Sequence, residues 1–280
     1  MAGRHRGGRA WRWWGVRAVA VLALGGCGKS ADPGEASAPP SATANAAPDR
    51  LGQPFDVATT LRAPEGSNPP PQTTAAGKQT ATFPGLVRDA WPTIKLTDAD
   101  GKPSPIVVTL ATDAGPVEIT LFPDAAPNHV RNFLALAQVG FYDGLAFDRI
   151  IRQNFVLVSD GGKEEARRLE LVMGGCPADD GDPAHGHLGY FLHFEASTLK
   201  HEEGTVGFVL TGEPDSASCR FYVCLAPAPL LDGIATAFGK VTRGMEVIHA
   251  IAGRPVKDPT NYPESELPRD PVRIRSVKRQ

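Results

Sequence analysis

The chain has almost no excess of either charge. Its 280 residues hold 29 Lys and Arg against 31 Asp and Glu, a net charge of −2. A nucleic-acid partner needs a basic face, so none is expected. The apolar run nearest the start, residues 18–24, is too short to cross a bilayer as a mature helix. Cysteine is scarce, with Cys27, Cys176, Cys219 and Cys224 the only four. No Cys or His pair stands at metal-ligand spacing, and His185 and His187 in a Gly/Asp/Pro loop read as solvated loop residues. Neither a metal nor a cofactor is expected, and there are no internal repeats. What is present, 41% hydrophobic and 21% charged residues, suffices for one globular domain of ordinary size with appendages.

The appendages come first. Arg4, Arg6, Arg9, Arg12 and Arg17 form a basic leader ahead of residues 18–24, and Leu24-Gly25-Gly26-Cys27 follows. Small residues before a single Cys resemble a bacterial lipobox. The resemblance implies that residues 1–26 are a lipoprotein signal peptide, cleaved before Cys27, and that the Cys27 thiol carries diacylglycerol. An ordinary cleaved signal with an incidental Cys is the other reading. Several acyl chains would hold the protein stably on a membrane. The expected location is then the cell envelope, as an anchored lipoprotein facing the periplasm or exterior. Residues 27–80 are rich in Ala, Pro, Ser, Thr and Gly without an apolar period, the composition of a disordered tether. Residues 81–105 carry Phe83, Leu86, Val87, Trp91, Ile94 and Leu96 and read as an extension packed on the domain, with no element assigned. An odd number of remaining thiols leaves at least one free or intermolecular; three buried thiols is the competing reading.

The domain spans 106–280. Residues 106–110 and 117–122 alternate as strands around the turn at Ala114-Gly115. Pro127 opens a helix in which Val130, Phe133, Leu134 and Ala137 share a face, and Gly140 closes it. Phe147-Asp148-Arg149-Ile150-Ile151 reads as a strand, as do 206–210, 220–224, 237–241 and 272–277, with a second helix over 245–251. Many short strands with two helices predict a closed antiparallel barrel.

Certain pieces, in this order, resemble the cyclophilins, the peptidyl-prolyl cis-trans isomerases. They are Glu118-Ile119-Thr120-Leu121-Phe122-Pro123, Val130-Arg131-Asn132-Phe133, Phe141-Tyr142-Asp143-Gly144, Phe147-Asp148-Arg149-Ile150-Ile151, Leu199-Lys200-His201, Arg220-Phe221-Tyr222-Val223, Leu231-Asp232-Gly233 and Phe238-Gly239-Lys240-Val241. The resemblance implies an all-β-dominated, eight-stranded antiparallel barrel capped by two helices. It implies a monomer with a substrate groove on the outer face, acting on proline-containing peptides or unfolded exported proteins.

The chemistry is rotation about an X-Pro amide, whose barrier of about 18–20 kcal/mol comes from C–N double-bond character. A guanidinium lowers it by donating to the amide nitrogen as that atom pyramidalises, because Arg stays protonated and presents a rigid fork. By motif match Arg149 is this catalytic donor. Phe155 falls on a pocket Phe, or else is only core. Met173 falls where the family has a Gln bracing the Arg, and Arg220 where it has a second Gln. Tyr222 falls on the pocket floor and Leu231 on its wall. Leu210, Thr211 and Gly212 fall on the strand that pairs with substrate. An inserted charged stretch occupies 161–168, and rim positions become Leu230 and Ala235. If Arg149 and Arg220 are close they repel, and one turns away or recruits an acid such as Glu213 or Asp215. The same alignment implies a Cys176–Cys219 bridge. Two readings follow, an Arg-assisted isomerase, or a catalytically weak or inactive peptide-binding or scaffold lipoprotein.

Overall fold

The computed structural model describes residues 51, 53–158 and 164–280. The expected signal peptide, the lipidation site Cys27 and the first half of the tether lie outside the described residues. In chain order the elements are α1 (Phe55–Ala58), β1 (Thr59–Thr60), α2 (Phe83–Ala90), β2 (Ile106–Thr112), β3 (Gly115–Leu121), α3 (Pro127–Gln138), β4 (Phe147–Val158), β5 (Glu164–Gly174), β6 (Phe191–Leu192), β7 (Thr205–Phe208), β8 (Phe221–Cys224), β9 (Ala237–Arg243), α4 (Met245–Ala252) and β10 (Ile274–Arg279).

Eight of the strands form one antiparallel sheet in the order β10-β2-β3-β9-β7-β8-β5-β4. Its two edges approach each other where Ala146 bridges Arg273, Phe147 N–H donates to Val272 O (2.9 Å) and Ile274 N–H to Leu145 O (2.7 Å). Strict alternation builds the interior. In β2, Ile106, Val108 and Leu110 are buried while the residues between them are not, and β3 repeats the pattern with Val117, Ile119 and Leu121. α3 starts on Pro127, whose missing N–H costs nothing at a first turn, and ends before Gly140 at φ +68°. Phe133 on its inner face meets Tyr142, Phe208, Phe221 and Phe238. Truncating such a ring to Ala costs about 3–5 kcal/mol. The expected eight-stranded antiparallel sheet is therefore present, curved as a half-barrel, with α3 and α4 the two helices within residues 106–280.

One feature departs from expectation, and two stretches left without an element gain one. From Gln53 onward the supposed tether is ordered against the domain. Phe55 packs edge-on against Trp91 and Tyr190, and Thr59 and Thr60 pair with β6. Asn68 N–H and Ala75 N–H donate to Ala184 O and Pro177 O (3.1 and 2.7 Å). The polar composition misled because a few buried anchors and backbone hydrogen bonds order a segment without apolar periodicity. The 81–105 extension is a helix, α2, with Val87 fully buried and Phe83 against Phe141. The charged insertion, where described, is strand. Residues 164–168 belong to β5 and pair with 154–158 of β4. Because β8 reaches only Leu171–Gly174, the rest of β4 and β5 projects as a two-stranded arm. Among the described residues no helix is long and apolar enough to cross a membrane.

Candidate active site

The two faces of the sheet carry separate apolar clusters. Ile150, Val172 and Val223 face the barrel core. Their strand neighbours Ile151, Leu171, Met173, Tyr222 and Cys224 face outward and join Leu169, Val209, Ala228 and Ala235, with Leu210, Leu230 and Leu231 packed on the edge. Period-two alternation dictates this division. Register then aligns the key residues. Arg149 pairs with Met173, Met173 with Tyr222, and Tyr222 with Gly207. Four neighbouring strands thus lay a guanidinium, a thioether and a phenol in one row, bordered by Leu231.

Gly207 is required in that row, because a Cβ there would collide with the Tyr222 hydroxyl. That hydroxyl reaches past it to His201 Nε2 (2.8 Å), and Asp232 Oδ1 accepts from both the backbone N–H and the Nδ1–H of His201 (2.9 Å each). A carboxylate only accepts, so it fixes the tautomer, and Tyr222 donates its O–H to Nε2. Burial holds the His201 pKa below its usual value, opposed by Asp232, and burial pushes Tyr222 well up. The pocket floor is therefore neutral and pinned from beneath.

Arg149 is 4% exposed. Its Nε donates to Glu266 Oε2 (2.7 Å), Nη1 to Gly181 O (2.9 Å) and Nη2 to the Tyr262 hydroxyl (3.0 Å), and Nη2 also lies 2.5 Å from Glu266 Oε2. The Tyr262 ring centroid is 5.8 Å from the guanidinium carbon. Gln153 donates to the other Glu266 oxygen. Arg220 lies close by, since its Nη1 donates to the same Gly181 carbonyl (3.3 Å). The expected repulsion is met by two acids, though not by Glu213 or Asp215. Glu213 pairs with Arg62 and Asp215 with His193, whereas Arg149 takes Glu266 and Arg220 takes Asp148 (2.8 Å). Burial raises the Asp148 pKa, and Arg220 pulls it back. Burial would lower Arg220, but Asp148 keeps it above its ordinary value.

The expected site residues fare unequally. Arg149, Met173 and Tyr222 share the row, and Leu210 and Leu231 pack on its cluster. Arg220 does not reach the surface. Its side chain is fully buried with Asp148, under the loop carrying Gly181, because a long cation beside a buried carboxylate has no reason to reach solvent. The backbone of Phe155 pairs with Arg167 on the projecting arm, beyond the reach of β8. Thr211 and Gly212 leave the sheet in a bend, where Ser216 Oγ accepts from Thr211 N–H (2.8 Å) and Gly212 takes φ +98°. Val209, just before them, packs in the outward cluster. His187 is no solvated loop residue, being buried with Nε2 2.6 Å from Asn68 O. Cys176, Cys219 and Cys224 are all free and buried, with no Cys176–Cys219 bridge. Burial pushes Cys176 and Cys224 up to about 12, where the reactive thiolate is scarce. Among the described residues no three metal-capable side chains converge. Glu266, Tyr262 and Gly181 were invisible in the sequence, because nothing local ties them to a strand residue 117, 113 and 32 positions earlier. The paired partner at Leu171 was within reach, since it follows from alternation around Met173.

Comparisons agree with this architecture. Residues 107–279 match the family described as "Cyclophilin type peptidyl-prolyl cis-trans isomerase/CLD". The chain is 33% identical over 165 residues to the peptidyl-prolyl cis-trans isomerase CYP18-2 of Arabidopsis thaliana, covering 59% of this chain and 90% of the relative. It is 37% identical over 139 residues to peptidyl-prolyl cis-trans isomerase B of Bacillus subtilis, covering 49% and 83%. A crystal structure of a cyclophilin-type isomerase from Cryptosporidium parvum superposes with a TM-score of 0.50 at 20% identity, over 63% of this chain and 98% of that one, a likeness of fold. With the matched span covering more than half its length, the chain belongs to the cyclophilin-type peptidyl-prolyl cis-trans isomerase family.

Proposed function

We propose that this protein isomerises X-Pro bonds of exported proteins, with Arg149 as the donor to the prolyl amide nitrogen and the Met173–Tyr222 surface as the seat of the proline ring. The observation that carries this reading is the row itself, in which the only charged member, Arg149, stands beside a floor of neutral, apolar surface. Rotation needs no nucleophile or acid–base pair. The pocket holds the ring while the preceding carbonyl turns, and the guanidinium stabilises the pyramidal nitrogen that has lost its resonance. The substrate class rests on the N-terminal sequence. Lipidation at Cys27 would hold the domain at the envelope, where newly exported chains pass.

The test is exchange spectroscopy on a set of X-Pro peptides with wild type and Arg149→Ala. Acceleration by the wild type, lost in the variant, is expected. A wild type that accelerates no peptide contradicts the reading, and equal acceleration by both moves the chemistry off Arg149. A second reading, a peptide-binding module of little activity, draws on the near-complete burial of Arg149. It predicts peptide binding without acceleration in the same experiment.

A further inference from the structure

The row explains the pocket but not the group gathered on Arg149 from the segment between α4 and β10. Met173 offers no amide to hold the guanidinium, yet the guanidinium is held. We propose that residues 262–266 are part of the active site, with Glu266 the positioning residue for Arg149 and the Tyr262 hydroxyl holding the place that the carbonyl before the substrate proline takes. This rests on the isomerase reading and extends it to residues outside the row.

Two observations separate the two roles. Glu266 is 5% exposed and fixed at both oxygens. Oε2 takes Nε and Nη2 of Arg149, and Oε1 accepts from Gln153. A carboxylate bridging Nε and Nη2 sets the plane of the guanidinium, and the second N–H of Nη2 points away from the acid, toward Tyr262. Gly181 O fixes that plane from the Nη1 side. Tyr262 differs in every respect. It is 51% exposed, and it meets Nη2 through a neutral hydroxyl at 3.0 Å. A neutral oxygen is a weaker partner than a carboxylate, so an amide carbonyl can take over its hydrogen bond to Nη2 at the cost of the ring's contact with the guanidinium. There is room for the displaced ring. A cavity of about 570 Å³ lies between β4 and this segment, bordered by Ile150, Gln153, Asn154, Tyr262 and Ser265. Positioning by a buried acid and access through a replaceable hydroxyl reconcile a buried arginine with a working one.

Exchange spectroscopy on one X-Pro peptide, run to separate kcat from KM, tests this with wild type, Arg149→Ala, Glu266→Ala, Glu266→Asp and Tyr262→Phe. Glu266→Ala is expected to lose about ten- to hundredfold in kcat, as misplacing a reacting group by an ångström does, with KM changed by no more than about twofold. Glu266→Asp keeps the charge but withdraws it by one methylene, and is expected to lose about tenfold in kcat; it carries the test if thermal melting shows Glu266→Ala unfolded. Tyr262→Phe removes the competitor and is expected to lower KM at unchanged kcat, a split that a merely structural loop would not give. Folded Glu266 variants with wild-type kcat beside an inactive Arg149→Ala would overturn the positioning role and leave the isomerase reading standing. An unchanged or raised KM in Tyr262→Phe would overturn the role of the hydroxyl. An inactive wild type would remove the isomerase reading, and this inference with it.

Discussion

Arg149 and Arg220 end on the same carbonyl, that of Gly181, and the regions around them are built on opposite plans. Arg220 is fully buried, and its acid, Asp148, lies on the strand next to Arg149 and is itself sealed. Even so, Asp148 Oδ1 and Arg220 Nε lack a hydrogen-bond partner, so the pair is incompletely compensated and has no exit. Arg149 is bound by partners from an irregular segment whose outermost member, Tyr262, is half in solvent. The first region is a fixed strut under the loop of residues 176–186. The second is a clasp with one partner that solvent reaches. Two like charges meeting on one oxygen are tolerated because each brings its own carboxylate, and the proposed function rests on the pair whose outer partner is exposed.

The sharpest way to break this comparison is to remove each acid in turn. Asp148→Ala leaves Arg220 charged, buried and alone, and is expected to cost about 3–5 kcal/mol in urea unfolding. Glu266→Ala, beside a half-open clasp, is expected to cost about 1–3 kcal/mol. An Asp148→Ala cost below that of Glu266→Ala would reverse the assignment of strut and clasp.

The loop that both arginines hold adds a pH test. Burial, first among the causes, raises Asp179 to about 6 from 3.8, while its bonds to Ala146 N–H and Arg273 oppose the rise. A carboxyl with a folded pKa above its unfolded one stabilises the fold fully below the unfolded value and loses that contribution as pH rises through the folded one. Wild type is expected to lose up to about 3 kcal/mol from this group between pH 4 and about 6. Asp179→Asn, which tolerates the positive φ of 50° at this position, should flatten the profile over that window. Parallel wild-type and variant profiles would show that Asp179 does not titrate as its burial demands.

A smaller effect probes the floor both regions border. Tyr222→Phe leaves His201 Nε2 buried without its donor and is expected to cost about 1–2 kcal/mol by thermal or urea unfolding. No loss would mean that the Asp232–His201–Tyr222 chain holds nothing in place.

The same contrast explains what the sequence could reveal. The barrel was legible because β2, β3 and α3 write their burial into period two and period 3.6, and the motifs around Arg149 and Tyr222 are local. Met173 and Tyr222 could be set beside Arg149 because strand register carries motif positions faithfully. Arg220 was misjudged because exposure is not local. The acid that buries it is Asp148, visible in the very motif that named Arg149 but paired with it only across the sheet. The charged insertion carried no element signal of its own, and residues 164–168 continue β5 and carry the pairing with β4 past Phe155. Residues 53–80 were read as tether because anchors such as Phe55 are too few to make a pattern. Glu266 and Tyr262 carry no motif at all, and only the folded chain brings them to Arg149.

The central claim is that Arg149 is the arginine substrate engages and Arg220 the one it does not. Side-chain guanidinium NMR of the two, followed while an X-Pro peptide is titrated into the full chain, tests it most directly. The account predicts that the Arg149 signals shift on saturation, as Tyr262 gives way to the peptide carbonyl, while those of Arg220 stay in place. Movement of the Arg220 signals with Arg149 unmoved would contradict it.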